Sequence, residues 1–136
     1  MKVIDASECV LGRLASRVAK ELLNNEDRVV VVNADNIVVS GSKDFLLEYY
    51  YHKRERGDPI KGPFYPREPH MIFKRAVRGM LPKNKRGRDA LKRLTVYRNT
   101  PKMFEGKVEK LKIKTSEDLR CKYLYLKDIS NKLGVK

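Results

Sequence analysis

The residues able to do chemistry here are cations in one block. From Lys74 to Arg98 stand ten basic side chains (Lys74, Arg75, Arg78, Lys83, Lys85, Arg86, Arg88, Lys92, Arg93 and Arg98) against one acid, Asp89. Widened to Tyr49–Lys114, the block holds twenty Lys and Arg against six Asp and Glu, and its excess equals the +14 of all 136 residues. Crowding like charges costs stability through self-repulsion. Neutralising phosphates repays that cost, because counterions condensed on a nucleic acid are released. Arg predominates at the centre of the block, which suits planar, bidentate phosphate recognition. A polyanionic partner, nucleic acid, is the first expectation.

Other chemistries find little support. The two histidines, His52 and His70, join no identifiable triad or metal set, so an enzyme is the weaker reading. Cys9 and Cys121 stand far apart without a C-x-x-C pair, as reduced thiols do. Gly12 lacks the companions of a dinucleotide fingerprint, and Gly41-Ser42-Lys43 lacks the spacing of a P-loop. No cofactor, metal or small-molecule substrate is expected. No apolar run approaches the ~18 residues of a membrane span and no signal segment opens the chain, so the expected compartment is the cytoplasm.

Between Lys53 and Arg67 the cations Lys53, Arg54, Arg56, Lys61 and Arg67 are interleaved with Phe64 and Tyr65. That combination fits phosphate contact plus stacking on unpaired bases. The two aromatic rings could equally pin the loop to the core. Four of the six prolines and two glycines fall within residues 52–70, which predicts an irregular extension.

The positioning elements follow α/β grammar. Val3 and Ile4 predict a short strand. Leu11, Leu14, Ala15, Val18, Ala19, Leu22 and Leu23 recur at helical spacing up to Asn24. Val29–Val32 is a β-branched run of the kind covered on both faces of a parallel sheet. Further strands are expected at 37–39 and 94–97, and helices at 44–51, at 71–81 and near Leu126, Ile129 and Leu133, the last stopped by Gly134. On the helix over 71–81, Ile72, Phe73, Ala76, Val77, Met80 and Leu81 fill one half of the wheel, while Lys74, Arg75 and Arg78 lie opposite. With 41% hydrophobic residues and ordinary domain length, one domain is expected.

These residues also carry a resemblance. Arg75-Ala76-Val77-Arg78-Gly79-Met80-Leu81-Pro82, then Gly87-Arg88, Leu91 and Leu94–Tyr97, resembles the central signature of the large-subunit ribosomal protein L13 family. Ile4-Asp5-Ala6, Leu11-Gly12-Arg13-Leu14-Ala15-Ser16 and the valine strand ending at Asn33-Ala34 are similar to its N-terminal blocks. Gly62-Pro63-Phe64-Tyr65-Pro66 resembles the archaeal and eukaryotic branch, and the chain length points to an archaeal-type member. Arg98-Asn99-Thr100-Pro101-Lys102 departs from the bacterial pattern.

The resemblance implies a three-layer α/β/α core with a four-stranded, largely parallel sheet, a basic loop extension at 52–70 and a C-terminal tail at 99–136. It implies a structural constituent of the large subunit whose partners are large-subunit ribosomal RNA and neighbouring ribosomal proteins. The implied RNA-binding residues are Lys53, Arg54, Arg56, Lys61, Arg67, Lys74, Arg75, Arg78, Lys83, Lys85, Arg86, Arg88, Lys92 and Arg93, with Gly79 and Pro82 setting a turn. A free regulator of messenger RNA or DNA shares the basic block and is the rival reading.

Overall fold

The computed structural model describes residues 1–55, 65–113 and 115–134, the side chain of Arg54 excepted. The central strand is β2 (Val29–Val32), flanked by β1 (Lys2–Asp5) and β4 (Leu94–Val96) in the parallel order β1-β2-β4. All four valines of β2 are buried. Strand alternation divides them: Val29 and Val31 join the main core, while Val30 and Val32 pack with Val3 and Phe104 on the opposite face. The expectation of a strand covered on both faces holds.

The two covers differ. The main core takes side chains from α1 (Leu11–Asn24), α2 (Lys43–Glu55), α3 (Pro69–Met80), α4 (Lys85–Lys92) and α5 (Leu126–Lys132). The opposite face is closed by Phe104, Tyr97 and Val108, which lie in the segment after β4, Phe104 at the end of a single 3-10 turn (Lys102–Phe104) and none of them on an α-helix. Among the described residues no α-helix contributes a side chain to this cluster, so the second helical layer that the resemblance implied is not seen there.

The sheet count also differs from expectation. β3 (Val38–Ser40) does not join the parallel sheet but pairs antiparallel with β5 (Tyr123–Tyr125), Val38 opposite Tyr125. The cause is local. Asn33 sits in the left-handed region at φ 63°, a conformation Asn tolerates, and a single 3-10 turn over Ala34–Asn36 turns the chain before β3 starts. The sheets are thus three-stranded and two-stranded, not one of four strands.

Helix boundaries moved modestly. α2 continues to Glu55, a turn beyond the expected 44–51, and α3 opens at Pro69. Proline fits the first helical turn because its missing N–H would have no partner there. The tail docks on the body: Leu126 and Ile129 are fully buried, and Gly134 takes φ +104° just past the last helix, as a C-terminal stop requires.

Candidate nucleic-acid interface

The site starts from α3. Its buried residues Pro69, Ile72, Phe73 and Val77 fix which side faces the core, leaving Lys74 and Arg75 half-buried and Arg78 exposed. Leu81, buried, then anchors the chain leaving the helix. Asn84 begins α4, its side-chain oxygen accepting from the Gly87 amide at 3.0 Å, the usual N-cap arrangement.

Gly87 is where this turn is tightest. A Cβ there would lie 1.8 Å from the Pro82 carbonyl oxygen, so only glycine fits. Gly79, expected to set the turn, has nothing within 4 Å of a Cβ and lies within α3. The α3–α4 junction thereby forms a cleft floored by Leu81, Gly87 and Leu91 and rimmed by Arg75, Arg78, Lys83 and Arg88, with no acid in its lining. Lys85 and Lys92 are exposed on α4 beside it. Cations gathered around a concave surface can hold phosphate oxygens by charge-assisted hydrogen bonds.

Two expected contact residues are used differently. Arg93 reaches the other way and donates from Nη1 to the Asn25 carbonyl at 2.5 Å and from Nη2 to the Leu22 carbonyl at 2.7 Å. Arg86 donates to the Leu23 carbonyl at 3.0 Å. These oxygens belong to the end of α1, where helix carbonyls lack partners and the dipole favours cations. Both guanidiniums therefore dock α4 onto α1.

The preceding segment splits the expected loop. Arg56, Lys61, Phe64 and the Arg54 side chain lie outside the described residues. Tyr65 packs against the core beside Tyr50, ring centroids 6.2 Å apart, which places it with the pinning reading. Burial pushes its phenol up to about 12, with Tyr49 adding and Arg75 opposing. The Lys53 ammonium lies 4.7 Å from the Tyr49 ring and 5.2 Å from Tyr65, and the Arg75 guanidinium 5.8 Å from Tyr65, distances of cation–π contact. Arg67 is exposed, and its carbonyl accepts from Ser130 of α5. So Lys53, Tyr65 and Arg75 form one cluster that ties the end of α2 to α3.

Remaining polar groups read as structural. His52 pairs with Glu48 at 3.4 Å and His70 with Glu68 at 3.2 Å. Cys9 is buried, and its thiol is pushed up chiefly by that burial. Among the described residues no group of three or more His, Cys, Asp or Glu could hold a metal ion. None of the described helices is long and apolar enough to cross a membrane.

A second group of cations, Arg13, Arg17 and Lys20 of α1 with Lys112, shares a cleft that the charge count did not single out. Its signal in sequence is the same-sign spacing of Arg13, Arg17 and Lys20 along one helix face; Lys112 gives none.

Comparison with known proteins gives a consistent result. The family described as ribosomal protein L13 matches residues 1–103. The chain is similar to the large ribosomal subunit protein uL13 of Archaeoglobus fulgidus, 48% identical with 97% of this chain and 86% of the relative covered. It is similar to that of Methanosarcina barkeri, 45% identical over 100% and 99%, and to that of Thermoplasma volcanium, 42% identical over 98% of each.

Proposed function

The chain belongs to the ribosomal protein L13 family, and from that premise we propose that it is a structural constituent of the large ribosomal subunit that binds large-subunit ribosomal RNA through the α3–α4 surface. The observation that carries this is the acid-free rim of Arg75, Arg78, Lys83 and Arg88 around a junction that Gly87 fixes. Lys74, Lys85 and Lys92 of the same two helices, and Lys53, Arg54, Arg56, Lys61 and Arg67 of the preceding segment, are further contacts in this reading. Arg86 and Arg93 serve it indirectly, by holding α4 against α1.

The role is architectural. Fixed cations where RNA segments converge lower the repulsion that opposes a compact RNA fold and so favour subunit assembly. Residues 1–136 act as one RNA-binding unit, working on the ribosome in the cytoplasm beside other large-subunit proteins. Selectivity rests on RNA shape and unpaired bases, since an A-form major groove is too narrow for side chains to read.

The test is binding of the purified protein to large-subunit and small-subunit ribosomal RNA across a salt titration. Preference for large-subunit RNA that survives physiological salt is the expected result. Equal affinities that collapse together would reject a specific site. Replacing Arg78 and Arg88 by Gln should lower the salt slope by about one for each lost phosphate contact.

A further inference from the structure

We infer that a second surface, on the outer face of α1 with Lys112, grips the phosphate backbone of RNA separately from the α3–α4 rim. The inference rests on the RNA-binding reading above. Arg13, Arg17 and Lys20 are exposed and succeed one another at i, i+4 and i+7, one face of a helix spanning about 10 Å along its axis.

Solvated helix faces normally alternate sign, because like charges one turn apart repel while opposite ones support the helix. This face carries one sign. Glu21, four residues after Arg17, could have paired with it, yet its carboxylate accepts instead from Lys2 at 3.2 Å and from the Asn25 side chain at 3.2 Å. Among the described residues none of Arg13, Arg17, Lys20 or Lys112 takes part in an ion pair.

The fourth cation comes from more than ninety residues away, and the fold brings it in. Glu109 pairs with β1, donating its amide to the Val3 carbonyl and accepting the Asp5 amide, each at 2.9 Å. Leu111 is buried and Ile113 packs on the core, so Lys112 between them is directed outward to the cleft it shares with Arg13, Ser16, Arg17 and Lys20. Four uncompensated cations from two segments thus converge on one concavity.

This surface is set apart from the first. A further cleft, at the junction of α1 with α4, holds Glu26 and Asp89 beside Lys85, Arg86 and Arg93, the last two donating to carbonyls at the end of α1. The two acids offset part of that charge, and the α3–α4 cleft, this cleft and the cleft of Lys112 share no lining residue.

The test compares two variants of the full chain against an archaeal large-subunit ribosomal RNA transcript, in excess small-subunit RNA, by salt titration and backbone footprinting. One variant carries Arg13→Gln, Arg17→Gln, Lys20→Gln and Lys112→Gln; the other carries Arg78→Gln and Arg88→Gln. Circular dichroism and melting confirm that both keep the fold, as exposed positions allow. The expected result is a salt slope reduced by roughly three to four in the first variant, for four lost contacts, with loss of one set of protected nucleotides while the set lost in the second variant persists. An unchanged slope and footprint in the first variant, with both altered in the second, overturns this inference and leaves the α3–α4 site standing. No change in either variant overturns both.

Discussion

The phenol of Tyr125 donates to the Glu8 carboxylate at 2.8 Å across 117 residues of sequence. Ser116 donates to the same carboxylate at 2.6 Å, and its amide donates to the Glu8 carbonyl at 2.9 Å. Glu8 itself sits at φ 64°, a left-handed conformation unfavourable for a side chain of its length. A strained residue is held in place because three groups of the C-terminal segment bind it. The Glu8 hydrogen bond, foremost, pushes the Tyr125 phenol up to about 12.

Tyr125→Phe should therefore loosen the tail and lower the melting temperature by roughly 3 to 5 °C, the scale of one ordinary hydrogen bond in a chain of this size. Thermal unfolding followed by circular dichroism reads it. A melt identical to the parent's would show that Ser116 alone secures Glu8.

The two glycines of the basic region should respond in opposite directions. Gly87→Ala drives a methyl into the Pro82 carbonyl and should cost about 2 to 4 kcal/mol, since backbone must shift. Gly79→Ala meets open space within α3 and should stabilise by about 0.5 to 1 kcal/mol, the helix preference for alanine. Urea unfolding separates them; equal effects would refute the assignment of the turn to Gly87.

Arg93→Ala should cost about 1 to 2 kcal/mol by leaving the Leu22 and Asn25 carbonyls without their donor. Arg78→Ala, exposed and directed to solvent, should stay within about 0.5 kcal/mol of the parent while weakening RNA binding. Measured together, denaturation and RNA affinity distinguish an arginine that builds the surface from one that belongs to it.

Asp5 gives the chain an acid limb. Burial acts to raise its pKa, but hydrogen bonds from the Asn33 side chain and the Ser7 amide, with Lys110 nearby, outweigh it and hold the pKa below the ordinary 3.8. A depressed folded-state pKa contributes stability that is present above 3.8 and lost as pH falls through the folded value. Asp5→Asn should flatten the loss of stability as pH falls below about 4. An acid midpoint unmoved by the substitution would place that titration elsewhere.

Much of this arrangement was legible in sequence because it is local. The β1-α1-β2 unit, the two-faced burial of Val29–Val32 and the apolar half of α3 all follow from spacing within a dozen residues. Pairing of Val38–Ser40 with Tyr123–Tyr125 was not legible, since neither short segment carries a mark of its partner eighty residues off. Nor could charge counting tell Arg93 from Arg88. Arg88 lies within α4 and Arg93 just past its end, and only the approach of α1 decides which one turns inward. Lys112 stood in a weakly patterned stretch until the bridge of Glu109 to β1 gave it a direction.

The sheet order has a consequence for how the chain folds. Strand β4 joins β2 only after the chain between them has closed as a loop, and that loop includes α2, α3 and α4 with most of the molecule's excess cations. Closing it costs chain entropy and also gathers like charges, a repulsion that dissolved ions screen. Salt should therefore act in opposite senses on this chain, easing completion of the sheet and weakening the proposed contact with RNA.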